Sequence, residues 1–345
     1  MADVTYTVQN KNGSYDGDMV VKQYTSINID SGDTVTVDQP TRGLMILCQG
    51  DCTINGTLTM KGRAAFADPT SSGASDSNAV DSNGLRLPFL TSGGSSSLTA
   101  ANTLFNGCGT AARNVLANFK TISSNGNIIS LVRQGASGGS QPESQSAGNN
   151  GSNGSTGQTG GGGSGARGYL AGSGTGGYGS CFSGGSGGGG SNGNSVASGS
   201  GGNWGGAGGN GETDHTACAS GGAGNPTGSN DIASGSVSGA EQGNGGLIIL
   251  IVGGNLTIGA SGSILATGSE SGDCSGGNAW HGSGGGSGGG NIVLAYRGTY
   301  TNNGDVNRNG GASGTVATEG SGPNYDASWR GGSGGNGSVQ TLQIL

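Results

Sequence analysis

The sequence has little of what usually builds an active site or a large side-chain core. Only 10% of the 345 residues are charged, 5% are aromatic, and 2 are histidines. Gly-x-Ser-x-Gly segments at 135–139, 285–289 and 331–335 match the nucleophile elbow of hydrolases. Such matches arise by chance in a chain this rich in glycine and serine. We therefore expect no enzymatic activity and no bound cofactor.

Features of membrane, secreted and nucleic-acid-binding proteins are also missing. The longest apolar run, residues 247–252, is far shorter than the ~20 residues that a membrane-spanning helix needs. The opening MADVTYTVQ has no basic segment followed by an apolar one, so no signal peptide is predicted. A net charge of −7 without a basic patch argues against a nucleic-acid partner. We expect a chain made in the cytoplasm of its host cell that does not insert into membranes.

What the chain does have is glycine, 83 residues of it. Glycine stands at every third position from 148 to 163, and shorter runs of that period begin at 184, 199, 282 and 331. Three residues per turn is the period of the polyproline II backbone, whereas collagen would need far more than 6 prolines. A disordered linker would need no period. The tracts therefore predict a bundle of polyglycine II helices, in which each loss of the period marks a loop.

Three apolar segments repeat a common spacing of glycines, at 43–62, 246–268 and 291–310. Each predicts a buried strand, a turn and a short alternating strand. Residues 26–40 alternate as well, and residues 127–132 and 338–345 have the composition of further strands. We expect Ile27, Ile29, Val35 and Val37 to point into the core. The pattern indicates a mainly β fold with a short-strand β-solenoid or sandwich-like scaffold.

One segment differs, because Ala112, Val115, Leu116 and Phe119 follow a helical spacing. They predict a short amphipathic helix that packs on the scaffold. The whole pattern divides the chain into three regions. These are an N-terminal β-strand attachment region (1–66), a linker with the helix and one strand (67–147), and a glycine-rich bundle with interleaved β modules and loops (148–345).

Large side chains concentrate where the glycine period breaks. Aromatic residues are common interface anchors, and loops held by a rigid scaffold commonly carry recognition residues. The alternative is that these side chains only cover the ends of the bundle. The candidate binding residues are Tyr169, Tyr178, Phe182, His215, Trp280, His281, Tyr325 and Trp329.

The cysteines and histidines permit one metal site and several disulfides. His215, Cys218, Cys274 and His281 together offer a zinc-compatible set of ligands, although their spacing matches no zinc finger. The alternatives there are a disulfide between the two cysteines or free thiols, and we expect no metal. Nearer the N-terminus, Cys48-x3-Cys52 allows a local disulfide.

Glycine-rich tracts that alternate with aromatic-containing loops over residues 148–337 resemble the distal tail-fibre adhesins of T-even-like bacteriophages. The resemblance implies an N-terminal domain that attaches to the fibre. It also implies a polyglycine II sandwich that presents receptor-binding loops at the tip. Residues 1–147 contain no matching attachment motif, and the three strand modules are not a feature of that family.

The first hypothesis is therefore a phage virion surface protein, the receptor-binding adhesin of a tail fibre. Its partners would be a host cell-surface protein or glycan and other virion proteins, with homo-oligomers as a further expectation. The second is a structural protein, either a capsid decoration, a head fibre or a self-assembling filament. The third is an ice-binding protein, because glycine-rich bundles resemble springtail antifreeze proteins.

Overall fold

The described part of the chain is rich in β-strands and contains no helix. In particular, no helix there is long and apolar enough to cross a membrane. The computed structural model describes residues 3–9, 11, 14–15, 17–65, 135–143, 146–167, 172–180, 182–191, 198–202, 205–211, 220–229, 236–238, 242–275, 282–316 and 330–343.

The strands wind into a β-solenoid of four complete coils. Each coil contributes one strand to each of three parallel sheets in turn, so the coils stack strand on strand. In chain order the coils are β2 (Val20–Tyr24), β3 (Ile27–Ile29), β4 (Thr34–Val37); β5 (Leu44–Cys48), β6 (Cys52–Ile54), β7 (Thr57–Thr59); β9 (Leu247–Val252), β10 (Leu256–Ile258), β11 (Ser263–Leu265); and β13 (Asn291–Tyr296), β14 (Tyr300–Asn302), β15 (Asp305–Asn307).

Three strands extend or adjoin these coils. β1 (Val4–Tyr6) pairs with β4 at one end of the third sheet, and β16 (Ser338–Gln343) pairs with β13 at the other end of the first sheet. A separate antiparallel pair joins β8 (Ser236–Ser238) to β12 (Asp273–Ser275). The solenoid is thus one strand longer on a different sheet at each end.

Matching positions in successive coils form continuous lanes of side chains in the core. In the first sheet, Leu44, Ile248 and Ile292 are in register and at most 1% of each is exposed. The opposite face of the same sheet is also buried, as Ile249 and Val293 show. Burial on both faces explains why these strands are continuous apolar runs, whereas the short strands of the other two sheets alternate.

The sequence predictions for these strands are confirmed. Ile27, Ile29, Val35 and Val37 all belong to the core cluster, and the segment predicted at 338–345 contains β16. The three repeated modules supply coils two, three and four. The strand at 127–132 and the helix around Ala112, Val115, Leu116 and Phe119 lie outside the described residues.

All long insertions leave the solenoid at one corner, between the third sheet of one coil and the first sheet of the next. Residues 38–43 make this connection directly between β4 and β5. The next three connections are residues 60–246, 266–290 and 308–337, which contain the glycine tracts. Because β5 pairs with β9 across the first insertion, strands from 1–66 and 148–345 share the same sheets. The boundary predicted at residue 66 therefore falls between two coils of a single scaffold.

One phased glycine run is bent, so loops also occur where the period is kept and not only where it is lost. The chain turns at residues 155–158, inside the run from 148 to 163, and Gly157 there has a φ of 77°. The two halves then lie antiparallel, since the amide of Gly161 donates to the carbonyl of Ser152. Glycine tolerates both the extended tract and the left-handed turn, so the period alone does not mark where a tract ends.

Candidate functional site

The glycine tracts form a bundle joined by backbone hydrogen bonds, and residues 159–167 lie at its centre. Three successive amide groups of this tract donate to three different tracts. The same order repeats in the next three residues, so the direction of donation has a period of three. The pairs are Gly160 to Gly289, Gly161 to Ser152 and Gly162 to Gly177, then Gly163 to Gly286, Ser164 to Asn149 and Gly165 to Gly174.

The carbonyl groups of the same tract accept from three further tracts. The donors belong to residues 135–143, 182–191 and 330–337, and at the end of the tract the carbonyl of Arg167 also accepts from the amide of Ser146. The central tract is therefore surrounded by six others, and its described backbone groups bond between tracts rather than within one. The accepting pairs include Gly139 to Gly162, Gly185 to Gly160 and Gly335 to Gly161.

Close approach of the backbones explains why glycine fills these positions. A Cβ built on Gly160, Gly162 or Gly163 would come within 3.0 Å of a carbonyl group of a neighbouring tract. Every residue from 182 to 191 and from 282 to 290 is buried. Such a bundle is held by main-chain contacts where a side-chain core is unavailable.

Buried serines connect tracts where the glycine pattern is interrupted, a role that the composition did not reveal. The hydroxyl of Ser283 donates to the carbonyl of Gly314 over 2.7 Å and accepts from the amide of Gly331 over 2.9 Å. Ser220 does the same between Gly272 and Gly284. Ser283 has glycine on both sides and Ser220 has glycine on one side, so the sequence signal of this role is only a serine within or beside a glycine tract.

The bundle has a near end at the solenoid and a far end away from it. The tracts ending at residues 246, 290 and 337 lead directly into β9, β13 and β16, so these residues define the near end. The tracts at 159–167 and 282–290 are antiparallel, because Gly160 pairs with Gly289 and Ala166 pairs with Ser283. Residue 166 therefore lies at the far end.

The far end brings together the attachment points of five segments that carry most of the predicted binding residues. Each segment is bracketed by described residues that the hydrogen-bond register places at that end, such as Arg167, Ser191 and Ser220. The segments are 168–171, 192–197, 212–219, 276–281 and 317–329. They contain Tyr169, His215, Trp280, His281, Tyr325 and Trp329, which themselves lie outside the described residues.

The remaining two predicted residues lie at the near end. Ser183 forms a bridge to Gly246 at the start of β9, which places Phe182 and Tyr178 beside the solenoid. Phe182 is 0% exposed, so its predicted contact with a receptor does not fit the structure. A break in the glycine period can hold a core aromatic as readily as a surface one. Tyr178 is 42% exposed, but it lies at the opposite end of the bundle from the attachment points of the segments that contain the other candidates.

The described residues provide no support for a metal centre. Within them, no group of three or more His, Cys, Asp or Glu side chains is placed to hold an ion. Of the zinc-compatible set, Cys274 belongs to the backbone of β12, whereas His215, Cys218 and His281 lie outside the described residues.

No protein-family model, curated protein or solved structure matches this chain significantly. Its function must therefore follow from the bundle, the solenoid and the segments that they position.

Proposed function

We propose that this chain is a phage virion surface protein, the receptor-binding adhesin of a tail fibre. It binds a host-envelope protein or glycan through the segments attached at the far end of the bundle. The observation that carries the proposal is that the attachment points of five segments converge on that one end, and three of these segments contain Tyr or Trp. Recognition commonly uses loops that a rigid scaffold holds in this way.

Rigidity of the scaffold is the second element of the proposal. We propose that the tracts are polyglycine II helices, because the direction of their amide groups repeats every three residues. A bundle linked by main-chain hydrogen bonds in six directions leaves its loops little freedom at their attachment points. Binding then costs less loop entropy, which is the advantage of preorganisation.

The ends of the solenoid favour the adhesin over a self-assembling filament. Lys22 occupies the core lane of Ile46, Leu250 and Leu294 in the first coil, and its Nζ lies 5.1 Å from the centre of the Tyr6 ring. A charged side chain thus closes a lane that is apolar in the other coils. Terminal repeats with polar outer surfaces keep solenoids from associating end to end.

Charged residues on the outer face of the third sheet also favour the adhesin over a self-assembling filament. The lane of Thr34, Thr57 and Ser263 ends in Asp305, and Asp3 accepts a hydrogen bond from the amide of Thr34 at its other end. A second copy stacked in the same register would place Asp305 against Asp3. Like charges directly opposite in a sheet are destabilising.

One observation favours the ice-binding alternative, though on the solenoid rather than the bundle. β4 and β7 each carry Thr-x-Thr on the outer face of the third sheet, and the matching strands lie side by side. Regular hydroxyl and methyl groups on a flat face can order water. Leu265 and Asp305 interrupt this array in the later coils. Thermal hysteresis of the purified chain would support this function, and its absence would exclude it.

Binding of fluorescently labelled protein to bacteria from the source culture tests the adhesin. We expect the double variant Trp280→Ala/Trp329→Ala to lose most cell binding, because both residues belong to segments attached at the far end. Tyr178→Ala is the matched control, since it removes an exposed aromatic side chain at the near end. Circular dichroism and the melting temperature establish that each variant is folded.

Equal binding by the wild type and the folded double variant would contradict the role of these segments. Immunogold electron microscopy then separates the two virion hypotheses. Gold at the fibre tips supports the adhesin, whereas gold over the capsid supports a decoration protein.

A further inference from the structure

Two thiols face the same corner of the solenoid core. Cys48 ends β5 and Cys52 begins β6, and both are free and buried. Only residues 49–51 separate them. The Sγ of Cys48 donates to the carbonyl oxygen of Asp51 over 3.3 Å, and Asp51 directly precedes Cys52. The thiol of Cys48 therefore points along the turn toward Cys52.

The fourth coil shows how side chains are arranged at the positions equivalent to Cys48 and Cys52. Cys48 is in register with Val252 and then Tyr296, while Cys52 is in register with Leu256 and then Tyr300. The rings of Tyr296 and Tyr300 stack with their centres 5.4 Å apart. Side chains at the two positions therefore face each other across the corner, and in the second coil these two positions hold the thiols.

We propose that Cys48 and Cys52 form a modification site, a dithiol that low-molecular-weight disulfides oxidise to an internal disulfide. The thiolate of Cys48 attacks one sulfur of the oxidant and expels a thiolate. The thiolate of Cys52 then attacks the Sγ of Cys48 in the mixed disulfide and expels the second thiolate. Two protein thiols lose two protons and two electrons, and one oxidant disulfide becomes two thiols.

The position of the turn determines the order and the rate of these steps. Gln49 and Asp51 are exposed, but the amides of Gln49 and Gly50 donate to the carbonyls of Tyr24 and Thr25 in the first coil. Local opening of these hydrogen bonds must therefore precede the reaction, and it uncovers Cys48 before the deeper Cys52. A disulfide needs the two Cβ atoms about 3.5–4.5 Å apart, and the turn, with glycine at its centre, can adjust to that separation once these hydrogen bonds open. Burial raises the pKa of both thiols, so little thiolate is present at neutral pH. The reaction is therefore slow, and its rate rises about tenfold per pH unit below the pKa of Cys48.

The chain offers a direct assay, because trypsin releases both cysteines in one peptide. Arg42 and Lys61 bound the peptide 43–61, which contains no internal lysine or arginine. Folded protein is incubated with oxidised glutathione, quenched in acid, denatured, alkylated with iodoacetamide without reduction, and digested. We expect the peptide to take up no alkyl group and to be lighter by two hydrogen atoms.

Two variants make the test specific, since neighbouring coils supply the replacements. Cys48→Val introduces the residue of the third coil at that position, and Cys52→Leu does the same for the other lane. Both should melt close to the wild type, and the remaining cysteine should stay open to alkylation or to glutathione. The proposal is overturned if wild-type peptide 43–61 carries two alkyl groups or bound glutathione after prolonged oxidation at pH 8.5. Protection of Cys52 in the Cys48→Val variant would also overturn it, since another cysteine would then be the partner.

Discussion

Gly163 illustrates how a single hydrogen atom in place of a side chain decides the packing of the bundle. Its amide donates to Gly286 and its carbonyl accepts from Gly188, so two neighbouring tracts bind it directly. A Cβ at this position would clash with the carbonyl of Gly332 on a third tract. The atom in the way belongs to a backbone that is itself hydrogen-bonded, so it cannot move alone.

We predict that Gly163→Ala lowers the free energy of unfolding by about 1–3 kcal/mol or more, because the added methyl group forces tracts apart. Gly201→Ala is the matched control. Gly201 is exposed, and the nearest atom to its Cβ would be the mobile Thr175 hydroxyl at 3.0 Å. Urea denaturation followed by circular dichroism measures both. Equal stabilities for the two variants would mean that the bundle is not closely packed.

Phe182 shows that residue type alone does not distinguish a binding residue from a core residue. An aromatic residue beside a glycine tract predicts an interface anchor as readily as a core residue. The choice depends on which end of the bundle the residue reaches. That position follows from the bridge between Ser183 and Gly246, a contact between segments far apart in the sequence, and no local pattern encodes it.

Among the elements, the buried serines join tracts that would otherwise have unpaired backbone groups. Ser283 is 0% exposed and bonds both Gly314 and Gly331 through its hydroxyl. These two glycines belong to the tracts that bracket residues 317–329. The serine therefore also fixes the base of one segment at the far end.

We expect Ser283→Ala to destabilise the protein by about 1–3 kcal/mol, since it leaves a buried carbonyl and a buried amide without a partner. The comparison is Ser152→Ala, since the exposed hydroxyl of Ser152 bonds the hydroxyl of Ser137 rather than a buried backbone group. Thermal unfolding should separate the two variants clearly. A melting temperature of Ser283→Ala equal to that of Ser152→Ala would show that the bridge contributes no stability.

The elements of the solenoid could be predicted from the sequence, but the course of the tracts could not. In strands such as Cys52–Ile54, buried and partly exposed side chains alternate because one face of the sheet is buried, and this alternation can be read from the sequence. The repeated glycine spacing likewise marks the corners of the coils. The sequence of a glycine tract does not show where the tract turns or which tracts it contacts, because every glycine offers the same backbone donor and acceptor. The turn at residues 155–158 therefore remained hidden within an unbroken period.

At the scale of the whole molecule, all the connections that form the bundle leave the solenoid at one corner. Successive coils hold the starts of the first-sheet strands in register, as the pairing of Leu247 with Asn291 and of Asn291 with Ser338 shows. The tracts that lead into these strands therefore begin side by side. The solenoid sets the positions of the tracts at the near end. Hydrogen bonds between the tracts keep these positions along the bundle, so the attachment points at the far end are also fixed relative to one another.

The same scaffold must avoid adding further coils from other molecules, and Lys22 is placed to prevent this. Its core lane continues as Ile46, Leu250 and Leu294, so an isoleucine at residue 22 would complete an apolar lane that opens toward the end of the solenoid. Exposed apolar ends and unpaired strand edges promote association.

We predict that Lys22→Ile self-associates at concentrations where the wild type does not, as measured by sedimentation velocity. Lys22→Gln is the control, because it removes the charge but keeps the lane polar, and it should sediment like the wild type. Unchanged sedimentation of Lys22→Ile would mean that features other than Lys22 keep the solenoid ends apart. Association of both variants would assign that role to the charge itself rather than to the polarity of the lane.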